Sequence, residues 1–400
     1  MGKLLTPAEL EWVRLQPLLL ERGYKLRRRY QPSWKPSWTK PWNFYKYETE
    51  CEDWFQLKTR NVIDAVRIKD GAKVAIKKTI FEYDNIPLLQ HLNSDERRAD
   101  PRNNAVPLLE VIPVPQPDDD SDSDHIMLLV MPRLAPLVSG HIPFRHVREV
   151  TYALDQIFQM YRDACMLNFM MDPTDVIPGG FHHSRQYLKP NGKTRIRVRD
   201  RCKVPSLKYY IIDFETAEYF MPNSLCIGHY GQEKEAPELS TTVPFDPFKL
   251  DIYQLGKLVH KLMQEFDGLE LLCPLRDAMT HKEPKLRTDI SQALRMLHNI
   301  VSSLEETDLS RVIQKRDISE ELLNECKAEL ARKLAAPQLG WVHPRRKLPQ
   351  QMMAPQRESV PPKQEPISRD HPSSGRRFSY ICKRSFAKFT KSENAFIFSL

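Results

Sequence analysis

Four residues whose side chains could act together lie in the middle of the chain. Lys77 ends a short apolar segment, and Asp213 directly follows the apolar residues 210–212. Asp163 and Asn168 lie between them, five positions apart. A cation combined with carboxylate and amide oxygens suits phosphate groups and Mg²⁺. Taken singly, each residue would be interpreted as an ordinary surface or loop side chain.

Several short motifs support a shared function for these residues. Residues 161–168 have the spacing H-R-D-x-x-x-x-N, with tyrosine in place of histidine. An Ala-Pro-Glu motif ends at Glu238 and begins 23 positions after Asp213. Asp251 then opens a predicted helix, and Arg287 lies between two late helices. One such match could be chance, but their joint order and spacing indicate a common origin.

This set of motifs resembles the eukaryotic protein kinase superfamily over residues 55–305. More narrowly, the chain is similar to a divergent kinase-like family that is abundant in mushroom-forming fungi. The resemblance implies an α+β, two-lobed fold, with a small antiparallel β lobe that holds one helix and a larger, mainly α lobe. The narrower likeness rests on the N-terminal helix with its Trp/Pro-rich arm and on segments 100–103, 168–172, 178–182, 237–240 and 247–251.

The resemblance also implies the ligands, ATP and Mg²⁺, and the roles of the four residues. Lys77 would hold the α- and β-phosphates, and Asp213 and Asn168 would hold the metal ion. Asp163 would accept or orient the proton of the substrate hydroxyl. The expected reaction is transfer of the γ-phosphate to a protein hydroxyl, most naturally that of serine or threonine.

The resemblance extends to the adenine side of the pocket and to two ion pairs. Either Glu82 or Asp84 should orient Lys77, and the sequence does not decide between them. Glu238 and Arg287 match the buried pair that anchors the activation segment. Met131 would be the gatekeeper, and the hinge would be Pro132, Arg133 and Leu134. Pro132 cannot donate a backbone hydrogen bond to adenine, so that contact would depend on its neighbours.

Four departures from the kinase pattern bear on activity. No glycine lies between Gly23 and Gly71, so the glycine-rich loop that covers the phosphates is absent. Glu215 stands where D-F-G has glycine, Cys165 where serine/threonine kinases have lysine, and Tyr161 where histidine is usual. Tyrosine for histidine is a mild change, and losses of this kind would each cost a factor of ten or more in rate, about 1.4 kcal/mol per factor of ten. None removes the lysine, the base or the metal ligands.

Three functions therefore stay open. The first is an active protein kinase, and the second is a pseudokinase scaffold that binds nucleotide weakly or not at all. The third is a small-molecule phosphotransferase of the aminoglycoside or choline kinase type. The Ala-Pro-Glu motif and Arg287 argue against the third, because they belong to kinases with peptide substrates. The expected partner is a protein substrate or another protein.

The first 54 residues should form a helix and an arm. Thr6 and Glu9 make a capping box, which predicts a helix over residues 6–22 that ends before Gly23. Prolines exclude a helix over residues 25–42. We expect the arm to pack on the neighbouring lobe through its three tryptophans: Trp34, Trp38 and Trp42.

The rest of the chain predicts strands first and helices later. Alternating apolar residues around Asp70 and Gly71 indicate a β-hairpin. Further strands are expected at 106–113, 126–131, 164–171 and 207–213, and helices at 143–162, 249–266, 269–280, 289–304 and 317–334. Four parts follow: 1–54 (helix and arm), 55–132 (small lobe), 133–335 (large lobe with a basic insert, 179–208) and 336–400 (a disordered tail).

The net charge of +8 comes from the tail. Residues 331–400 hold 14 lysines and arginines against 4 aspartates and glutamates. The remainder is close to neutral, so no sequence-specific binding of nucleic acid is expected. Few apolar residues and eight prolines beyond residue 335 predict a disordered tail.

Composition also bears on the compartment. No apolar run approaches the roughly 20 residues that span a bilayer, and acidic residues interrupt any N-terminal signal sequence. The seven cysteines show no C-x-x-C spacing, so neither a disulfide framework nor a structural zinc site is expected. These features predict an intracellular protein of the cytoplasm or nucleus.

Overall fold

The computed structural model describes residues 5–43, 45–57, 59–81, 85–115, 125–160, 168–214, 217, 220, 223–228 and 235–316. These residues form a mixed α+β structure, and all but Arg316 belong to one compact unit. The helices in this part of the chain are α1 (Pro7–Glu21), α2 (Ile86–Leu92), α3 (Asp95–Arg98), α4 (Val147–Met160), α5 (Pro247–Glu265), α6 (Cys273–Met279), α7 (Ile290–Ser302) and α8 (Glu306–Leu309). The strands are β1 (Tyr24–Leu26), β2 (Val62–Arg67), β3 (Lys73–Ile80), β4 (Glu110–Pro113), β5 (Ile126–Pro132), β6 (Ala135–Pro136), β7 (Phe169–Met171), β8 (Tyr209–Ile211), β9 (Cys226–Gly228) and β10 (Ser240–Phe245).

A five-stranded antiparallel sheet carries the predicted hairpin. Its strand order is β1-β2-β3-β5-β4. Val62 lies opposite Lys77 and Val66 opposite Lys73, and Gly71 takes the positive φ of 73° that the turn requires. The predicted hairpin is confirmed. Strand β1, which the sequence did not indicate, comes from the first 54 residues and pairs with β2.

Helix α1 covers the outer face of this sheet. The predicted capping box is confirmed, since Glu9 N–H donates to Thr6 Oγ1 and Thr6 N–H donates to Glu9 Oε2. Trp12 and Leu19 are fully buried in the cluster between the helix and the strands. Gly23, with a φ of +83°, lets the chain turn from α1 directly into β1.

Alternation along β5 divides the core in two. Leu128 and Val130 join the cluster under α1, whereas Leu129 and Met131 face the second and larger cluster. That cluster also takes in residues of α4, α5, α6 and α7. One strand thus links the outer face of the sheet to the helical part of the molecule.

Helices α4 to α7 were predicted from the sequence, but their first and last residues differ from the predicted ones. Helix α4 begins at Val147 rather than at 143, because Glu149 turns back to accept the backbone N–H of Arg145 at 2.7 Å, as a residue of the first turn does. Helices α5 and α6 approach closely at Gly256, where a Cβ would lie 2.8 Å from that of Met279. Only glycine fits there.

A second sheet of three antiparallel strands, β6-β7-β8, lies beside the helices. Ile211 N–H donates to Asn104 O, and Val106 N–H donates to Ile211 O. Residues 104–106 are therefore engaged with β8, and β4 starts only at Glu110 instead of the expected 106. The predicted strand was right in its second half alone.

Two of the arm's three tryptophans pack within the first 54 residues, whereas the expectation was that they pack onto the small lobe. Trp34 and Trp38 meet edge to face with ring centroids 6.1 Å apart, and Trp38 meets Trp54 at 5.4 Å. Trp42 is 66% exposed, so the expectation was wrong for this residue. The acidic segment 117–124, the predicted helix 317–334 and the tail lie outside the described residues. In the ranges that are described, no helix combines the length and apolar character needed to cross a membrane.

Candidate functional site

A cavity of about 300 Å³ lies between the inner face of the five-stranded sheet and the segment that follows β8. This volume is at the lower end of the range for small-molecule sites. Its walls come from β2, β3 and β5, from the connection after β5, and from the insert between β7 and β8. Residues that line it include Val62, Ala75, Lys77, Met131, Leu134 and Asp213.

Lys77 and Asp213 meet at the wall of this cavity. Lys77 Nζ donates to Asp213 Oδ1 at 2.9 Å. Because Val74 and Ile76 turn toward α1, the alternation of β3 sends Ala75 and Lys77 to the cavity face. The lysine side chain is 15% exposed and the aspartate side chain 43%, so both charges remain reachable by a ligand.

The backbone at Asp213 is unusual. Its φ of 67° is in the left-handed region, which few residues other than glycine adopt. Asn168 Nδ2 donates to Asp213 O at 3.3 Å, and Ile212 N–H donates to Asn168 O at 2.9 Å. Asn168 is buried and holds the strained residue in place. Backbone of this kind is concentrated at functional sites.

Asp213 and Asn168 fit a magnesium ion. Mg²⁺ prefers carboxylate and amide oxygens and keeps several water ligands. The Asp213 carboxylate is partly exposed at the cavity, and the Asn168 amide nitrogen is already engaged, which leaves its oxygen for a metal ion. The two residues are adjacent in space although 45 positions separate them in the sequence.

The predicted hinge follows the edge of the cavity. Met131, Pro132, Arg133 and Leu134 all line it. Arg133 N–H donates to Lys73 O at 3.1 Å, so it is not free for a ligand. Leu134 also lines the cavity, and no described residue accepts a backbone hydrogen bond from its N–H. The Arg133 guanidinium stacks over the Phe181 ring, with its carbon 4.2 Å from the ring centroid. Burial lowers the pKa of Arg133.

Arg27, which belongs to the arm, forms part of the cavity wall. It was not predicted as a site residue from the sequence. Its Nε donates to Asp64 Oδ1 at 2.9 Å, and its Nη2 donates to Tyr30 Oη at 3.1 Å. Its Nη1 lies 2.6 Å from His183 Nε2, which must accept because a guanidinium has only donors. This contact joins the arm to the insert, although more than 150 positions separate the two residues in the sequence. No local sequence pattern predicts it.

His182 fixes the part of the insert that reaches the cavity. It is 1% exposed, and its Nδ1 accepts the backbone N–H groups of Ser184 and Arg185. Burial, together with the nearby cations Arg27 and Arg133, lowers the pKa of His182 to about 4. The imidazole is therefore neutral at physiological pH and acts as a hydrogen-bond acceptor for this turn.

The ion pair predicted between Glu238 and Arg287 is confirmed. The two guanidinium nitrogens donate to the two carboxylate oxygens at 2.5 and 2.8 Å, and the side chains are 6% and 0% exposed. Arg287 also donates to the carbonyl oxygens of Lys249 and His281. The pair ties the segment before β10 to the helices behind it.

Several candidate residues lie outside the described residues. These are Asp163, Cys165, Glu215, and the two acids proposed to orient the lysine, Glu82 and Asp84. Lys77, Asn168 and Asp213 come together, as the resemblance to protein kinases implied. Sequence reasoning missed Arg27, Asp64 and the histidine pair.

Comparisons with known proteins add no assignment. No model of a protein family matches the chain, and no curated protein sequence is significantly similar to it.

Proposed function

We propose that this chain has a two-lobed protein kinase-like fold and moves the γ-phosphate of ATP to a hydroxyl of a protein, with Mg²⁺ as cofactor. The observation that carries the proposal is the contact between Lys77 and Asp213 at the wall of the cavity. Protein kinases place a lysine on the third strand and a metal-binding aspartate beyond it at the phosphate end of their pocket. Residues of these types, in this order, meet here.

The strand arrangement supports the same proposal. Lys77 is on the third strand both in chain order and in sheet order. Ala75 and Met131, which lie opposite each other on β3 and β5, form an apolar wall suited to a flat base. Leu134 lines the same cavity, and its N–H would be the donor to a ring nitrogen.

The proposed mechanism relies on positioning and charge. Lys77 would bind phosphate oxygens in place of the Asp213 carboxylate. Asp213 and Asn168 would then hold Mg²⁺, which neutralises phosphate charge when it is bound. Asp163 would accept the proton from the attacking hydroxyl. The connection from β1 to β2 is the arm itself, in place of a short glycine-rich loop, so cover over the phosphates would come from Arg27 and its neighbours.

A pseudokinase that binds a partner protein is the second candidate. It is favoured by the way the arm and the insert meet at the cavity through Arg27 and His183. In addition, the two charges that a nucleotide would need are satisfied by each other. A module of this kind would bind nucleotide in the cavity weakly or not at all and would bind a partner protein through its surface.

Thermal unfolding of the full chain with ATP, in the presence and absence of Mg²⁺, tests the proposal. Binding to the native state raises stability by about 2.7 kcal/mol when ligand is present at 100 times its dissociation constant. Asp213→Ala should abolish the Mg²⁺-dependent part of this stabilisation. Asp163→Ala should keep it and lose turnover, since a base acts mainly in the transition state.

Asp277→Ala is the matched control. Asp277 is exposed on α6, pairs with Arg276 and does not line the cavity, so its removal should change neither binding nor turnover. Absence of any nucleotide effect in the wild type would refute ATP binding. Binding without transfer to a panel of protein substrates would favour the pseudokinase.

A further inference from the structure

A second group of ligand-type side chains lies away from the cavity, at the start of α4. His146 directly precedes the helix, Glu149 is in its first turn, and Cys202 is in a short 3₁₀ turn of the insert. One ligand atom from each residue lies within 4.8 Å of the other two. None of the three lines the cavity described above.

The distances from His146 to the other two residues are compatible with a metal site. His146 Nδ1 lies 3.5 Å from Glu149 Oε1 and 3.7 Å from Cys202 Sγ. The first of these is long for a hydrogen bond between such groups. Zinc bonds of about 2.0–2.3 Å in tetrahedral geometry give ligand-to-ligand distances of roughly 3.3–3.6 Å. Two of the three ligand-to-ligand distances are therefore close to those that one zinc ion would require, and the third is within 4.8 Å.

Two backbone N–H groups orient the Glu149 carboxylate. Glu149 is buried, and its Oε1 accepts Cys202 N–H at 3.1 Å while its Oε2 accepts Arg145 N–H at 2.7 Å. Hydrogen bonds of this kind fix the direction of a metal-binding carboxylate. Cys202 is exposed, so an ion can enter from solvent and a water molecule can complete the tetrahedron. Imidazole, carboxylate and thiolate together suit zinc rather than magnesium or calcium.

We propose that His146, Glu149 and Cys202 bind one zinc ion that fastens the insert to the start of α4. The insert also supplies Phe181 and His183 to the cavity, so the ion would stabilise a wall of that site from a distance. The absence of C-x-x-C spacing led to the opposite expectation. That rule covers only ligands that are close in sequence, and 53 residues separate Glu149 from Cys202.

Cobalt substitution provides a test that does not depend on any activity. Full-length protein is freed of metal and titrated with Co²⁺, and the thiolate-to-cobalt charge-transfer absorption is recorded. We expect one equivalent to give this band and Zn²⁺ to abolish it by displacement. Cys202→Ser should lose the band. Cys273→Ser is the matched control, since Cys273 is another free cysteine outside the cluster, and it should keep the band.

A measurement on wild-type protein covers the case in which a variant does not fold. Zinc should slow alkylation of Cys202 by iodoacetamide at least tenfold, measured on the peptide by mass spectrometry, and leave Cys273 unaffected. His146→Ala should remove that protection. Equal alkylation rates of Cys202 with and without zinc, or equal cobalt spectra for Cys202→Ser and Cys273→Ser, would overturn the proposal and leave Glu149 as a helix cap only.

Discussion

Two ion pairs, one on the outer side of the five-stranded sheet and one on its inner face, differ in how accessible they are to a ligand. On the outer face, Arg29 binds Glu9 through two hydrogen bonds, at 2.7 and 3.1 Å, and both side chains are 0% exposed. On the inner face, Lys77 binds Asp213 through one hydrogen bond, and both side chains reach the cavity. A ligand cannot reach the outer pair and replace one of its charges, whereas it can reach the inner pair.

The surroundings of the outer pair explain its structural role. Arg29 also donates to Asp53 O and stacks over the Trp34 ring. Burial acts to raise the pKa of Glu9, but the Arg29 guanidinium and the N–H groups of Thr6 and Leu57 outweigh it and hold that pKa below its usual value. This fully buried charge pair joins the arm to α1, and it is costly to break.

Removal of Arg29 should have the largest effect. Arg29→Ala leaves the Glu9 carboxylate buried without its cation, and we expect a loss of about 3–5 kcal/mol in the free energy of unfolding. Urea denaturation measures it. Arg22→Ala is the control, since Arg22 is half exposed and its pair with Glu110 is worth about 0–1 kcal/mol. A loss below 1 kcal/mol for Arg29→Ala would remove the distinction between the two faces.

The pair of Glu238 and Arg287 should behave like the outer pair. Arg287→Ala leaves Glu238 buried and unpaired, so a loss of about 3–5 kcal/mol is expected, toward the lower end because the other groups released are carbonyl oxygens. Chemical denaturation measures it, and Arg276→Ala, which removes an exposed pair, should be nearly neutral. A neutral result for Arg287→Ala would contradict the helical arrangement on which the kinase-like proposal depends.

Acid should destabilise the inner side of the molecule through His182. Its folded-state pKa of about 4 is below its usual 6.5, so the unfolded chain binds more protons between these values. Stability is fully present above pH 6.5 and falls by about 3 kcal/mol as the pH is lowered to 4. Unfolding free energies from pH 7 to 4 measure the slope.

A variant assigns that slope to His182. His182→Asn keeps an acceptor for the Ser184 and Arg185 N–H groups but has no proton to bind, so the dependence over this interval should flatten. Substitution of the exposed His281 by asparagine should leave the wild-type slope unchanged. Equal slopes for wild type and His182→Asn would mean that another group titrates.

Loss of Lys77 should cost little stability. Its pair with Asp213 is partly exposed, so Lys77→Ala should change the unfolding free energy by less than about 1 kcal/mol. The same variant should lose the stabilisation by ATP. Lys78→Ala, on the opposite face and paired with Glu11, should retain it. A loss of several kcal/mol for Lys77→Ala would make the inner pair structural like the outer one.

Deletion of residues 340–400 should have the smallest effect. The prolines and the low apolar content of this segment indicate that it adds nothing to the core. The melting temperature should stay nearly unchanged in a thermal unfolding experiment. A fall of about 5 °C or more would show that the tail packs against the rest of the chain.

The sequence by itself determined the local elements. Capping residues set the start of α1, alternation around Gly71 set the hairpin, and apolar periodicity set α5 and α7. These features depend on neighbours a few positions apart, which is why the sequence is sufficient for them. The resemblance that the motifs carry also implied that Lys77, Asn168 and Asp213 would meet.

Tertiary structure alone decided how the site is enclosed. Strand β1, the contact of Arg27 with His183 and the cluster of His146, Glu149 and Cys202 join segments that are far apart in the chain. It also made the predicted strand 106–113 begin late, at Glu110, because residues 104–106 form hydrogen bonds with Ile211 of β8. Such choices follow from competition among partners for the same hydrogen bonds and the same buried surface. No local pattern records that competition, because it is resolved only when the whole chain packs.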